Sequence, residues 1–372
     1  MPDYGHPILI GSFITPTNAR PEQVVALAQV SERAGLDLVT FQDHPYQAAF
    51  LDTWTLLSYV AARTERVRLA GNVLNLPLRQ PAVLARSVAS LDLLSGGRVE
   101  LGLGAGAFWD AIEAMGGERL TAGEGVDALA EAIEIIRAIW EPDGGRGVYV
   151  EGEHHRAKGA KRGPAPAHPV EIWLGAYKPR MLALTGRTAD GWLPSMGYLR
   201  PDPDAGLRDG NARIDDAAVE AGRSPAEVRR LLNVGGLSGD ARADADRLAR
   251  LALEHGVSTF IVNGDDPVEL ERVGGEVAPA LRELVDEGRR SAGRPTSPVP
   301  VVRTAPGRAG HTRRISRARP TAALSADIDL GAIPARLHDR VFTPRDAGYD
   351  DVRSTYMRAG HPGLVVMAAS PD

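Results

Sequence analysis

From residue 8 to residue 289 short apolar runs alternate with amphipathic stretches, and that alternation leaves the chain few folds to choose from. The runs lie at 8–14, 36–41, 67–74, 98–103, 170–174, 191–194, 228–234 and 257–262. Each is followed by a segment with helical spacing, such as 126–140, where Leu129, Ile133, Ile136 and Trp140 fall on one face. Runs that are apolar throughout belong to strands covered on both sides, as in a parallel sheet flanked by helices. The unit count predicts a (β/α)8 TIM barrel, an α/β fold. A doubly wound sheet is the competing architecture, but no dinucleotide-binding glycine fingerprint stands in the first strand–helix unit. Gly102, Gly104 and Gly106 come only at the fourth strand.

Length and composition narrow the organisation further. With 372 residues, 43% of them hydrophobic, the chain can bury a large barrel and carry an appendage. A net charge of -5 gives no electrostatic reason to expect nucleic acid. The absence of cysteine excludes thiolate catalysis, disulfides and cysteine metal sites. No apolar run reaches membrane-spanning length and residues 1–12 lack a signal-peptide pattern, so a cytoplasmic protein is expected. The insertion at 143–168 reads as a hairpin and a proline-rich connector lying across the barrel mouth. Residues 291–320 hold seven arginines, five prolines and no acid. The expected domains are therefore a barrel at 1–290, a disordered basic linker at 291–325 and a short tail at 326–372.

In a TIM barrel the active site lies at the C-terminal ends of the strands, so polar and glycine residues there are the candidates. Strand two ends at Gln42, Asp43 and His44, strand three at Asn72 and Asn75, and strand four in Gly104-Ala105-Gly106 with Phe108 and Trp109. Strand six ends at Ser195 and strand eight at Asn263. Strand five runs into Gly175-Ala176-Tyr177-Lys178-Pro179-Arg180. Proline has no N–H to lose and a preset φ, so Pro179 reads as the first helical residue and Lys178 as its cap. The N–H groups from Ala176 to Met181 then open a helix, where an anion such as a phosphate is favoured. An ordinary strand-to-helix turn fits the same residues, just as a structural histidine fits His44. Glycines admit a flat heterocycle closely and amides can bond its edge. His154 and His155, with Glu151 and Glu153, do not converge, because neighbours on a strand face opposite ways; no metal is expected.

Several of these stretches occur in a familiar order. Gly71-Asn72-Val73, Arg79-Gln80-Pro81-Ala82, the run 94–106, Ile172-Trp173-Leu174-Gly175-Ala176 and Gly186-Arg187-Thr188-Ala189-Asp190-Gly191-Trp192 resemble the bacterial luciferase-like superfamily of flavin- and deazaflavin-dependent oxidoreductases. The resemblance implies a barrel that holds FMN or coenzyme F420, with the ring over the strand ends and the phosphate at the turn 175–178. It also implies a cis peptide at Asn72-Val73 and a histidine beside the ring, a position His44 matches. On that footing His44 is the expected catalytic residue. The expected cofactor contacts are Asn72, Val73, Gly104, Ala105, Gly106, Gly175, Ala176, Tyr177, Lys178 and Ser195. The sugar-phosphate dehydrogenase branch has a tryptophan after the histidine and a glutamate after the strand-four glycines. Ala48 and Ala107 stand here instead, which argues against a sugar phosphate. The tail, with Arg340-Val341-Phe342-Thr343-Pro344 and Gly348-Tyr349-Asp350, resembles the start of FAD-linked oxidases of the berberine bridge type. It stops before their FAD-binding elements, so no FAD site is expected.

The expected function is an oxidoreductase acting on a small organic substrate by hydride transfer or oxygen insertion, with a catalytically silent flavin-binding barrel as the alternative. FMN and F420 carry the same ribityl phosphate, so the turn does not choose between them. The expected partners are a small-molecule substrate, a flavin reductase if FMN is used, and a second copy of the chain in a homodimer, with no nucleic acid and no membrane.

Overall fold

The structure, a computed structural model, describes residues 2–145 and 147–296 and the backbone of 341–342 and 365–366. Two compact units divide the chain, Met1–Gly307 and Arg308–Asp372. The first unit begins with β1 (Leu9–Ile14), α1 (Pro21–Arg33), β2 (Leu38–Phe41), α2 (Thr53–Ala61), β3 (Arg68–Gly71), β4 (Leu74–Asn75), α3 (Pro81–Ser95) and β5 (Val99–Gly104). It continues through α4 (Trp109–Ala114), α5 (Ala122–Trp140), the hairpin β6 (Val148–Glu151) and β7 (Arg156–Ala160), β8 (Ile172–Leu174), α6 (Pro179–Thr188) and β9 (Gly191–Trp192). It ends with α7 (Pro203–Glu220), β10 (Arg229–Gly235), α8 (Ala241–His255), β11 (Val257–Asn263), α9 (Pro267–Arg272) and α10 (Ala278–Ser291). In the second unit β12 (Val341–Phe342) pairs antiparallel with β13 (Val365–Val366). The expected linker beyond residue 296 and the rest of the tail lie outside the described residues.

The strands of the first unit pair in parallel in the order β3-β2-β1-β11-β10-β9-β8-β5, and β3 pairs back onto β5 through Leu69 with Val99 and Ala70 with Glu100. That last pairing closes the sheet into the expected TIM barrel. Strand three is not the continuous run 67–74 read from the sequence. It breaks into β3 and β4 at Asn72-Val73, whose peptide is cis, and β4 rejoins β5 through Leu74 with Leu103. Helix ends follow the capping rules: Asp52, Asp202, Asp240 and Asp266 each accept a backbone N–H at an N-cap, and Thr121 forms a capping box with Glu124. Helix α7 runs from Pro203 to Glu220, and Gly206 and Gly210 weaken the helical signal of its first turns. Gly210 is needed there, since a Cβ would lie 2.3 Å from the Trp192 ring.

The insertion also departs from expectation. The chain leaves α5 at the N-terminal end of the barrel, because each helix runs back against its strand. The hairpin then folds outward along α5, where the Glu131 carboxylate accepts the amides of Glu153, His154 and His155 at 2.7–3.0 Å. The connector returns beneath the barrel, with Ala167 and His168 amides bonded to Asp92 near the end of α3. It does not cross the mouth.

Alternate residues along a strand share a face, which divides the barrel interior into three tiers. The lowest holds Arg68, Glu100, Glu171 and Arg229, with Arg68 on Glu100 at 2.5 Å and Arg229 on Glu171 at 3.3 Å. The waist is a fully buried apolar layer of Leu38, Ala70, Trp173, Leu231 and Ile261. The upper tier is polar and contains Thr40, Asn72 and Asn233. His168 seals the lowest tier, its Nδ1 3.0 Å from Asp92 and its Nε2 3.3 Å from Glu100. Burial disfavours the imidazolium, but hydrogen bonds to Asp92 and Glu100 outweigh it and hold the pKa up at about 9.

A folded-state pKa above the ordinary histidine value stabilises the protein fully below about pH 6.5, and the contribution fades as pH rises through 9. Unfolding monitored from pH 6 to pH 10 is therefore expected to show falling stability across that window. His168→Gln should flatten the slope and cost roughly 3 kcal/mol at pH 7, because it leaves buried carboxylates uncompensated. A slope that His168→Gln leaves unchanged would contradict this assignment.

Candidate active site

The upper tier is where the strand ends bring the expected residues together. Asn72 and Asn233 face each other across the barrel and exchange carboxamide bonds of 2.7 and 3.1 Å. The Asn233 amide also donates to Ser195 Oγ at 3.1 Å, and Thr40 Oγ lies 3.3 Å from the Asn72 amide. This network holds β2, β3, β10 and the end of β9 at one level. Asn233 was missed in the sequence, although it meets the criterion applied to the other strands, a polar residue at the end of an apolar run.

Val73 leans from the break in strand three over β5 and β8, and glycines make room for it. A Cβ on Gly104 would stand 2.8 Å from Val73 Cγ2, and one on Gly175 would stand 3.4 Å from the same atom. Gly106 has φ +96°, and a Cβ there would meet the Pro77 ring at 2.9 Å. Ala105 is half-buried beside the start of α5. Three expected contacts, Val73, Gly104 and Gly175, thus form one surface without side-chain relief that would obstruct a planar ring. That cradle fits an isoalloxazine or deazaflavin.

The turn 175–178 caps α6 as expected, with Lys178 at the N-cap and Pro179 in the first turn. Ala176 is buried and its carbonyl accepts the Trp192 indole N–H at 2.8 Å. The N–H groups of Ala176, Tyr177, Lys178, Arg180 and Met181 donate to no backbone acceptor among the described residues. Lys178 is exposed, and the Arg180 guanidinium is held by Asp127 at 2.9 and 3.1 Å. Charge at this helix start therefore comes mainly from oriented backbone groups. Tyr177 bridges the turn to strand six: its hydroxyl accepts the Ser195 N–H at 2.8 Å, and its ring stands edge-on to Tyr198 at 5.6 Å.

His44 lies half-buried after β2, in a wall made by Tyr46, Phe50 and Phe108, with ring centroids 5.4, 6.5 and 5.4 Å away. Burial lowers its pKa and the Asp43 charge opposes the shift. Asp43 is not its hydrogen-bond partner. The Asp43 carboxylate is buried and takes Arg79 in a fork at 2.9 and 3.1 Å together with the Asn75 N–H at 2.8 Å. The acid next to His44 in sequence is thus a structural clamp.

A cavity of about 710 Å³ opens at the mouth beside this network, lined among others by Phe13, Ser195, Met196, Arg200, Asn233 and Ile261. His154 and His155 sit at the hairpin tip, their amides bonded to Glu131 on α5. Among the described residues no cluster of three or more His, Asp or Glu side chains could hold a metal ion, and no helix is long and apolar enough to cross a membrane.

Residues 6–295 match the luciferase-like monooxygenase family. The F420-dependent hydroxymycolic acid dehydrogenase of Mycobacterium tuberculosis is 31% identical over 273 residues, covering 71% of either chain. The F420-dependent glucose-6-phosphate dehydrogenase of Microbacterium testaceum is 29% identical over 75% of this chain and 91% of its own length. Among solved structures, an F420-dependent secondary alcohol dehydrogenase superposes with a TM-score of 0.63 at 19% identity, covering 74% of this chain and 99% of that one. An EDTA monooxygenase from Chelativorans gives 0.62 at 15% identity, covering 79% of this chain and 100% of that one. The chain belongs to the luciferase-like monooxygenase family and is a flavin- or deazaflavin-dependent oxidoreductase.

If the turn grips phosphate through its backbone, Gly175→Val should weaken cofactor binding by about tenfold or more, because a Cβ there already touches Val73 at 3.4 Å and the two added methyls would stand on the surface offered to the cofactor. Lys178→Ala should change it by less than about threefold, as expected for an exposed charge. Titrations by fluorescence quenching decide this, and the reverse ranking would refute the backbone account.

Proposed function

We propose that this member of the luciferase-like family is an F420-dependent dehydrogenase or carbonyl reductase acting on an apolar secondary alcohol or ketone. The observation that carries the reading is His44: a half-buried imidazole in an aromatic wall at the mouth, whose Nε2 meets no hydrogen-bond partner among the described residues. The two relatives at 31% and 29% identity, both named as F420-dependent dehydrogenases, support the same cofactor. A deazaflavin bound over Val73, Gly104 and Gly175, with its phosphate at 175–178, would supply hydride transfer.

Moving a hydride between carbon centres at an alcohol or ketone also requires a proton to leave or reach the oxygen. His44 Nε2 is suited to take that proton, since burial favours the neutral imidazole near pH 7. Asn72 and Asn233 spend their carboxamides on each other and on Ser195, so they brace the mouth and leave few free donors for a polyhydroxylated ligand. The cavity lining is mostly apolar, with Phe13, Met196, Pro201, Val234 and Ile261, and Arg200 is the single charged side chain in it. A buried sugar would leave hydroxyls unpaired there. Ala48 and Ala107 point the same way.

Binding of F420 and of FMN, measured separately, tests the cofactor assignment; tighter binding of FMN would overturn it. With F420 bound, apolar secondary alcohols are expected to bleach its absorbance and glucose 6-phosphate is not. His44→Ala should lower turnover by roughly 10²-fold or more with the unfolding temperature nearly unchanged. Lost stability with normal turnover per folded molecule would instead make His44 structural.

A further inference from the structure

The cavity at the mouth has an apolar lining with one charge at its edge. Phe13, Met196, Val234 and Ile261 line it together with Arg200 and the uncharged Asn263, and no carboxylate does. Arg200 Nε donates to the Gly197 carbonyl at 3.0 Å. Gly197 lines the same cavity, so that bond keeps the guanidinium at the rim. The two Nη groups meet no hydrogen-bond or ion-pair partner among the described residues, and neither does the carboxamide of Asn263 at the end of β11. The acids close by in the chain are spent elsewhere. Asp202 caps α7 at the Ala205 N–H, 3.1 Å away, and Asp265 takes the N–H and hydroxyl of Thr15 at 2.8 and 2.7 Å. Other arginines at this end of the barrel are already paired: Arg79 with Asp43, Arg119 with Asp110 and Glu113, and Arg180 with Asp127.

We propose that Arg200 anchors a carboxylate at the far end of the substrate, so that the apolar alcohol or ketone inferred above is a chain ending in an acid. The inference rests on that reading and adds what lies opposite the reacting carbon. A guanidinium is planar and offers its two Nη groups as a fork that matches the two oxygens of a carboxylate. In the free protein, water solvates the fork. An apolar chain filling the cavity displaces that water and strengthens the attraction between the fork and a carboxylate. A neutral chain of the same length displaces the water as well but leaves the guanidinium without a partner, and discrimination against it follows. The Asn263 carboxamide can donate one further bond to the same group.

The test is calorimetry on the full chain with F420 bound, using octanoate and octanamide, which differ in charge at one end. Octanoate is expected to bind about tenfold more tightly, and Arg200→Gln to remove the difference. Arg200→Lys keeps the charge without the fork and should retain part of the preference. Equal binding of acid and amide by the wild type, or a preference that Arg200→Gln leaves intact, overturns the proposal. F420 itself carries carboxylates on its side chain, so its affinity for Arg200→Gln is measured too. A loss there of similar size would give Arg200 to the cofactor and overturn the substrate assignment. The same acid and amide carrying a hydroxyl beside the terminal methyl group separate this inference from the one beneath it. A lower KM for the hydroxy acid than for the hydroxy amide, lost in Arg200→Gln, is expected. Bleaching of F420 with equal KM for both keeps the alcohol reading and overturns the anchor. A preference for octanoate with no bleaching by either hydroxylated compound keeps the carboxylate site and overturns the alcohol reading.

Discussion

Glycine at the seam between β3 and β5 is what the barrel and its mouth depend on. A Cβ on Gly102 would lie 2.1 Å from the Gly71 carbonyl oxygen, closer than any van der Waals contact, so side chains at this level would hold the two strands apart. Because they are absent, β3 can pair with β5 and close the sheet. The same glycines make room where the strand breaks at Asn72-Val73, so that Val73 lies across the ends of β5 and β8 while β4 runs on parallel to β5. Closure of the fold and construction of the cradle are one packing event, and a single substitution at the seam would disturb both.

Above that seam the interior changes character tier by tier. Paired charges fill the lowest level, apolar side chains the waist, and carboxamides and hydroxyls the top. The waist keeps water from linking the two polar ends, so the Arg68–Glu100 and Glu171–Arg229 pairs contribute to stability while the Asn72–Asn233 pair shapes the site. The site itself is nearly uncharged. In the function proposed above, anion affinity would come from oriented N–H groups at the start of α6, and proton exchange from His44, whose neighbours are mostly aromatic.

Much of this was legible in the sequence because strands buried on both faces write long apolar runs, and because proline and glycine mark the turn before α6. The break in strand three was read only through family resemblance; periodicity alone gave one run, since Gly71 to Leu74 contains nothing that forbids a strand. The first turns of α7 write a weak helical signal because they hold two glycines, of which Gly210 packs against Trp192 and Gly206 against Leu199. The path of the insertion was misjudged for a topological reason: a segment between a helix and the next strand emerges at the N-terminal end of the barrel, whatever its composition. The partnership of His44 with Tyr46, rather than with Asp43, was not legible, because adjacency in sequence does not say where a carboxylate turns. Arg79, distant in sequence, decided it.

The central claim is that one cofactor lies over Val73, Gly104 and the turn 175–178 at the C-terminal ends of the strands. Amide hydrogen exchange, compared with and without saturating F420, addresses it most directly, because it reports position without a known substrate. Added protection is expected in the segments 72–75, 104–106 and 175–181, with the hairpin 148–160 and the lower ionic tier unchanged. Saturable binding that protects the α5 hairpin or the N-terminal face, and leaves those three segments unaltered, would contradict the account.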